Sequence, residues 1–132
     1  MRETIQAKLE ELNTDVSGGD SEYITIGGII PDDIVEESTT YFGYELSTTY
    51  LGSDLQKNYT YRQNITGYVV RLLDATENTR EIVDEAVQAV INKLKELNFK
   101  CNSRDINISD SLIKVQVTGY SDYNEITNKF IV

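Results

Sequence analysis

The chain has 132 residues, the length of one domain, and its 12 basic and 22 acidic residues give a formal net charge of −10. Hydrophobic residues make up 39% and charged residues 26%, which is typical of a globular protein and not of a disordered one. There is no histidine, and the one cysteine, Cys101, rules out both an intramolecular disulfide and a cysteine–histidine zinc site. The length predicts a single domain over residues 1–132. Since histidine is the commonest general base and is missing, we expect that this domain is not an enzyme and uses no cofactor or metal.

The sequence predicts no targeting or membrane segment. Residues 1–13 are charged and polar at helical spacing, which is unlike a secretory signal. No apolar run approaches the roughly 20 residues of a membrane-spanning helix. The acidic excess also disfavours binding to the phosphates of nucleic acid and to anionic lipid surfaces. We therefore expect a protein that assembles inside a cell, with no membrane partner.

The first part of the chain predicts a helix, a short strand and an acidic segment. Residues 2–13 have the period of an amphipathic helix, and a short strand is expected over residues 22–26. The apolar stripe of the helix consists of Ile5, Leu9 and Leu12. Residues 31–38 are the most acidic stretch, and they fit a single helical turn or an irregular loop equally well.

A long hairpin is predicted over residues 41–73. Residues 41–51 alternate as a strand, with Phe42, Tyr44, Leu46, Thr48 and Tyr50 on one face. Residues 52–54 predict the turn, and residues 58–73 the second strand. From Tyr68 onward this strand is apolar on both faces, as in a central strand covered on both sides, and Gly67 is expected to mark a bulge or bend.

The clearest element is a second helix over residues 79–97. Asn78 or Thr76 can cap it, and a broad apolar face runs along its length. Acidic residues occupy its early turns, and Lys93, Lys95 and Lys100 cluster at its C-terminal end, where cations complement the helix dipole.

Three β segments close the chain, over residues 101–108, 112–120 and 123–132, the last as an edge strand or a tail. The order of elements predicts an α+β fold. It consists of a mainly antiparallel or mixed sheet with both helices packed on it.

The sequence signals for catalytic or metal-binding residues are weak. Asp32, Asp33, Glu36 and Glu37 lack the ligand alternation and the glycine of a calcium loop, so a solvated acidic segment is expected. Cys101 is expected to be a small core residue, because no histidine is present to activate it as a nucleophile. We assign no catalytic, cofactor-binding or metal-binding residue.

The tyrosines of the hairpin are candidate subunit contacts. Tyrosine suits interfaces because it buries a large ring and keeps a polar tip, although ordinary β propensity also explains its presence in strands. An apolar chain end either closes the sheet or docks into a partner. The candidate interface residues are Tyr41, Tyr44, Tyr50, Tyr59, Tyr61, Phe130 and Ile131.

The order and character of these elements resemble the small tail-terminator and tail-completion proteins of long-tailed bacteriophages. The features that carry the resemblance are the short helix Glu3 to Leu12, the polar hairpin Tyr41 to Leu73, the helix TREIVDEAVQAVINKLKEL and the closing strand SLIKVQVTGY. They cover most of the chain as a pattern, and none of them is a diagnostic motif.

The resemblance implies a structural virion protein without catalytic residues. Such proteins form a six-fold ring on the head-proximal end of the tail tube, stop its polymerisation and join it to the head connector. DNA passes through the ring, and an acidic wall repels its phosphates. Asp32, Asp33, Glu36 and Glu37 are the candidate lumen residues, by their density alone. The alternative is an acidic inhibitor that mimics DNA, with short carboxylate clusters over residues 32–37 and 77–85.

Overall fold

The structure is a computed structural model, and it describes residues 2–12, 24–27, 40–53, 59–108, 111–124 and 129–130. In these residues two helices pack on a six-stranded sheet, which confirms the predicted α+β fold. The helices are α1 (Arg2–Glu10) and α2 (Thr79–Lys95). The strands are β1 (Ile24–Gly27), β2 (Thr40–Ser53), β3 (Tyr59–Leu72), β4 (Lys100–Ile108), β5 (Leu112–Asn124) and β6 (Lys129–Phe130).

The sheet is antiparallel except at one edge. Its order is β1-β2-β3-β5-β4, and β1 pairs with β2 in parallel. The short β6 pairs with the end of β5, at Tyr123 and Asn124, past Tyr120, where the pairing of β4 with β5 ends. Residues 129–130 of the predicted tail therefore form an edge strand.

The hydrophobic core lies between the helices and one face of the sheet, which we call the helix face. Alternate residues of β2, β3 and β5 point into it, among them Phe42, Val69 and Val117. Helix α1 contributes Ile5, Leu9 and Leu12, as its predicted stripe requires, and α2 contributes a row from Val83 to Leu94. Asn78 caps α2 as predicted, because its side-chain oxygen accepts from the backbone N–H of Glu81.

The predicted hairpin is confirmed as β2 and β3, which have 14 residues each. Two residues of the turn predicted over residues 52–54 belong to the strand, because Gly52 and Ser53 still pair with β3, and residue 54 lies outside the described residues. The register shifts between Tyr50 and Gly52, and Gly52 has a φ of 131°, which glycine adopts without steric cost.

The prediction of a bulge at Gly67 is wrong, because the register of β3 with both neighbours is continuous there. Instead, the lack of a side chain at Gly67 allows the Phe42 ring and the Gly43 carbonyl group to lie close to its backbone. A Cβ at this position would lie 2.6 Å from Cε1 of Phe42 and 2.8 Å from the Gly43 carbonyl oxygen. The Phe42 ring thus occupies the space that a side chain would fill.

The face of the sheet opposite the helices, which we call the outer face, carries the other alternate residues of β2 to β5. Val70 on this face is only 1% exposed, which agrees with a β3 whose second half is covered on both sides. Lys100 also lies on this face, in β4. Its assignment to the C-terminal end of the helix is therefore wrong, since α2 ends at Lys95.

Candidate interaction surfaces

The far end of the hairpin extends past the end of α2. Helix α2 runs back along the sheet, and the hydroxyl of Ser121 donates to the carbonyl oxygen of Leu97 at 2.8 Å, just after the helix ends. The next aromatic positions along the strands are Tyr50 in β2, Tyr61 in β3 and Tyr123 in β5, which lie in register with one another. Each of these tyrosines is an even number of residues away from a core residue of its own strand, so all three lie on the helix side of the sheet.

These three residues form a continuous surface, which we call the tyrosine row. The rings of Tyr50 and Tyr61 are 5.5 Å apart at an angle of 52°, a geometry favourable for aromatic pairs. Tyr50 is 54% exposed, and the adjacent Leu51 is 45% exposed. Phe130 of β6 stands opposite Tyr123, so the row continues in register into the last strand.

The sequence-based interface residues do not all lie on one surface. The strand register brings three of these positions to one level of the sheet: Tyr50, Tyr61 and the backbone of Phe130. The hairpin and the chain end therefore belong to one surface and not to two. Tyr59 pairs with Ser53 near the hairpin tip. Ile131, and the candidate lumen residues Asp32, Asp33, Glu36 and Glu37, lie outside the described residues.

Two of the predicted contact residues do not belong to this surface. Tyr44 is 4% exposed and stacks on Phe42 at 5.6 Å, inside the core of its own chain, so its assignment to a subunit contact is wrong. Tyr41 stands opposite Val70 on the outer face, at the other end of the hairpin from Tyr50. The strand alternation that groups Tyr44 with Tyr50 does not reveal where the helices stop.

The outer face holds a second surface, which sequence reasoning missed. Four basic residues and two tyrosines of β3, β4 and β5 lie together on it; we call them the cation–tyrosine face. Its members are Arg62, Tyr68, Lys100, Arg104, Lys114 and Tyr120. Only the order of the strands brings them together, and the sequence alone does not supply that order.

Side-chain contacts organise this face. The Arg62 guanidinium lies 4.1 Å from the centre of the Tyr120 ring, and the Lys114 ammonium lies 4.5 Å from that of Tyr68. Arg62 also donates to Asp122 at 2.8 and 3.2 Å, and this hydrogen bonding raises the pKa of Arg62. Nε of Arg104 donates to Gln116, whose amide in turn donates to the Tyr68 hydroxyl. A polar depression of about 410 Å³ lies beside Tyr120 and Lys100.

The exposed side of α2 has the opposite charge. Glu81, Asp84 and Glu85 are exposed in its first half. Arg80 lies among them, paired with Asp84 at 3.1 Å and with Asp105 of β4 at 2.8 Å; its hydrogen bond to Asp105 raises the pKa of Arg80. We call the three carboxylates the acidic patch of α2.

Cys101 is half-buried against the core, and burial raises the pKa of its thiol to about 11, which keeps it protonated at neutral pH. The described part of the chain contains no group of three acidic, cysteine or histidine residues placed to hold a metal ion. It also has no helix long and apolar enough to cross a membrane.

Comparison of the sequence with protein-family models and with curated proteins gives no match.

Proposed function

We propose that this chain is a structural protein of a long-tailed bacteriophage, a tail terminator or a related head–tail joining protein. In this proposal six copies form a ring on the end of the tail tube within the virion, joined to the head connector, and the chain performs no catalytic step.

The observation that carries the proposal is the tyrosine row. Aromatic residues placed side by side on three strands, with Tyr50 more than half exposed, offer a large apolar area with polar tips to a protein partner. Their position past the end of α2 leaves them accessible to a neighbouring subunit. A ring also needs a contact between two different surfaces of the same chain, and a projecting hairpin end provides one of the two.

The charge of the chain agrees with the passage of DNA. Six copies would carry about −60 formal charges at −10 each, although screening limits their reach to about 8 Å at physiological salt. An acidic wall repels phosphates and lets DNA pass without binding.

Assembly with the tail tube tests this proposal. The purified chain is added to the polymerising tube protein of the same phage, and tube lengths are measured by electron microscopy. We expect elongation to stop, with one ring on one end of each tube. Unchanged tube lengths together with salt-sensitive inhibition of a DNA-binding enzyme would favour the DNA-mimic alternative and contradict the proposal.

A further inference from the structure

The outer face of the sheet differs in charge from the chain as a whole. It carries Arg62, Lys100, Arg104 and Lys114 against the acidic residues Glu45 and Asp122, although the chain has 22 acidic and 12 basic residues. Arg62 and Asp122 are paired, so the charge presented to a partner comes mainly from the β4 and β5 side of the face. Lys100 and Arg104 are exposed there, on the same face of β4 and four residues apart.

The complementary surface lies on the same chain. The acidic patch of α2 is on the opposite side of the molecule from the outer face, because α2 packs on the helix face. A single copy therefore cannot bring the two surfaces together, whereas two copies stacked in the same orientation can. The tyrosine row lies on the same side as α2 and faces the same neighbour in such a stack.

We infer that the cation–tyrosine face of one copy docks on the acidic patch of α2 of a second copy. The contact joins two different surfaces, so it repeats from copy to copy and closes into a ring when the rotation between copies allows. This inference rests on the proposed function and deepens it, because it assigns the second of the two surfaces that a ring requires. Charge complementarity favours a second copy, because each copy carries both the basic and the acidic surface, whereas a chain with a net charge of −10 repels nucleic acid at long range.

Two charge-reversed variants test the pairing. The sheet variant carries Lys100→Glu and Arg104→Glu, and the helix variant carries Glu81→Lys and Glu85→Lys. All four residues are exposed, and circular dichroism with the thermal midpoint verifies that each variant is folded. Lys95→Glu and Glu3→Lys serve as controls, because they reverse exposed charges that are not members of either surface. Association is measured by sedimentation at low and at physiological salt.

We expect wild-type protein and both controls to associate, and each double variant alone to associate at least about ten-fold more weakly. An equimolar mixture of the two double variants should associate again, since the acidic sheet of one then meets the basic helix of the other. The unchanged basic sheet face of the helix variant also meets the unchanged acidic patch of the sheet variant. The two variants therefore alternate in the assembly.

Three results would overturn the inference: double variants that associate like wild type, a mixture that stays dissociated, or a wild-type chain that stays monomeric up to millimolar concentration. Binding of an oligonucleotide by a monomer through Lys100 and Arg104 would assign the face to nucleic acid instead. Different results would contradict the proposed function and the inference. Restored mixtures that image as something other than a six-fold ring contradict it alone, whereas six-fold rings unaffected by the reversals contradict only the inference.

Discussion

Arg71 is a charged residue in the core, with 1% of its surface exposed. Its guanidinium donates to both carboxylate oxygens of Glu77, at 3.0 and 2.9 Å, and to the hydroxyl of Thr40 at 2.9 Å. Glu77 lies in the connection between β3 and α2, and one of its oxygens also accepts from Thr79 at the start of the helix. These bonds fix the position at which α2 begins over the sheet.

Loss of the Glu77 carboxylate is expected to destabilise the fold. Glu77→Ala leaves the buried guanidinium of Arg71 without its ionic partner, and we expect the free energy of unfolding to fall by about 3 kcal/mol. Urea denaturation measures it. Glu85→Ala, on the exposed side of α2, is the control and should change it by less than about 0.5 kcal/mol. Equal effects of the two substitutions would refute the anchoring role.

Gly67 is expected to reject any side chain as long as Phe42 keeps its ring. Gly67→Ala places a methyl group against that ring and should lower the free energy of unfolding by about 1–3 kcal/mol. Phe42→Leu in the same chain removes the ring and should recover part of that loss. Additive effects of the two substitutions in a double-mutant cycle would mean that the contact is not the cause.

Cys101 is expected to be a poorly reactive thiol. With its pKa raised to about 11 by burial, the fraction of thiolate in the folded protein stays small up to pH 9. Alkylation by iodoacetamide at pH 8 should be much slower in the folded than in the urea-unfolded chain, and should accelerate toward pH 11. The raised pKa also means that the thiol's contribution to stability is present below its unfolded pKa and is lost as pH rises through its folded value. Rapid alkylation of the folded protein at pH 8 would contradict this.

At the scale of elements, the hairpin and the chain end act as one unit. Tyr50, Tyr61 and Tyr123 follow one another across three strands, and β6 extends the row at the sheet edge. Because the row lies past the end of α2, substitutions there should affect association more than folding.

Tyr50→Asp tests this separation. An added carboxylate in the tyrosine row should abolish self-association because it must be desolvated in the contact, while a residue already 54% exposed has little effect on the monomer fold. Sedimentation and circular dichroism measure the two properties. Thr4→Asp is the control, since it adds the same charge at an exposed position of α1, which belongs to neither proposed surface. Normal assembly of Tyr50→Asp would remove the row from the subunit contact.

Much of the fold was predictable because local patterns determine it. The 3.6-residue period of Ile5, Leu9 and Leu12 and the alternation along residues 112–120 gave the helix stripe and the inward face of β5 correctly. The surfaces were less predictable, since they depend on strand order and on where the helices stop. Tyr44 and Tyr50 have the same phase in β2, yet Tyr44 is buried and Tyr50 is more than half exposed. The cations of the outer face come from three strands, and Arg62, Lys114 and the β4 pair Lys100 and Arg104 meet only through the β3-β5-β4 order.

In the proposed assembly, opposite sides of one subunit are complementary. The helix side carries the tyrosine row and the acidic patch of α2, and the outer side carries the cation–tyrosine face. A chain with a net charge of −10 repels its copies at long range, so the local cations must offset that repulsion at the contact. Directional association of this kind yields closed rings or open filaments.

The most direct test of the central claim is the oligomeric mass over a wide concentration range, with electron micrographs of the same samples. The account predicts a mass of six chains and class averages with six-fold symmetry around a hole wide enough for duplex DNA. A chain that remains monomeric at every concentration, both alone and on the ends of tail tubes, would contradict it.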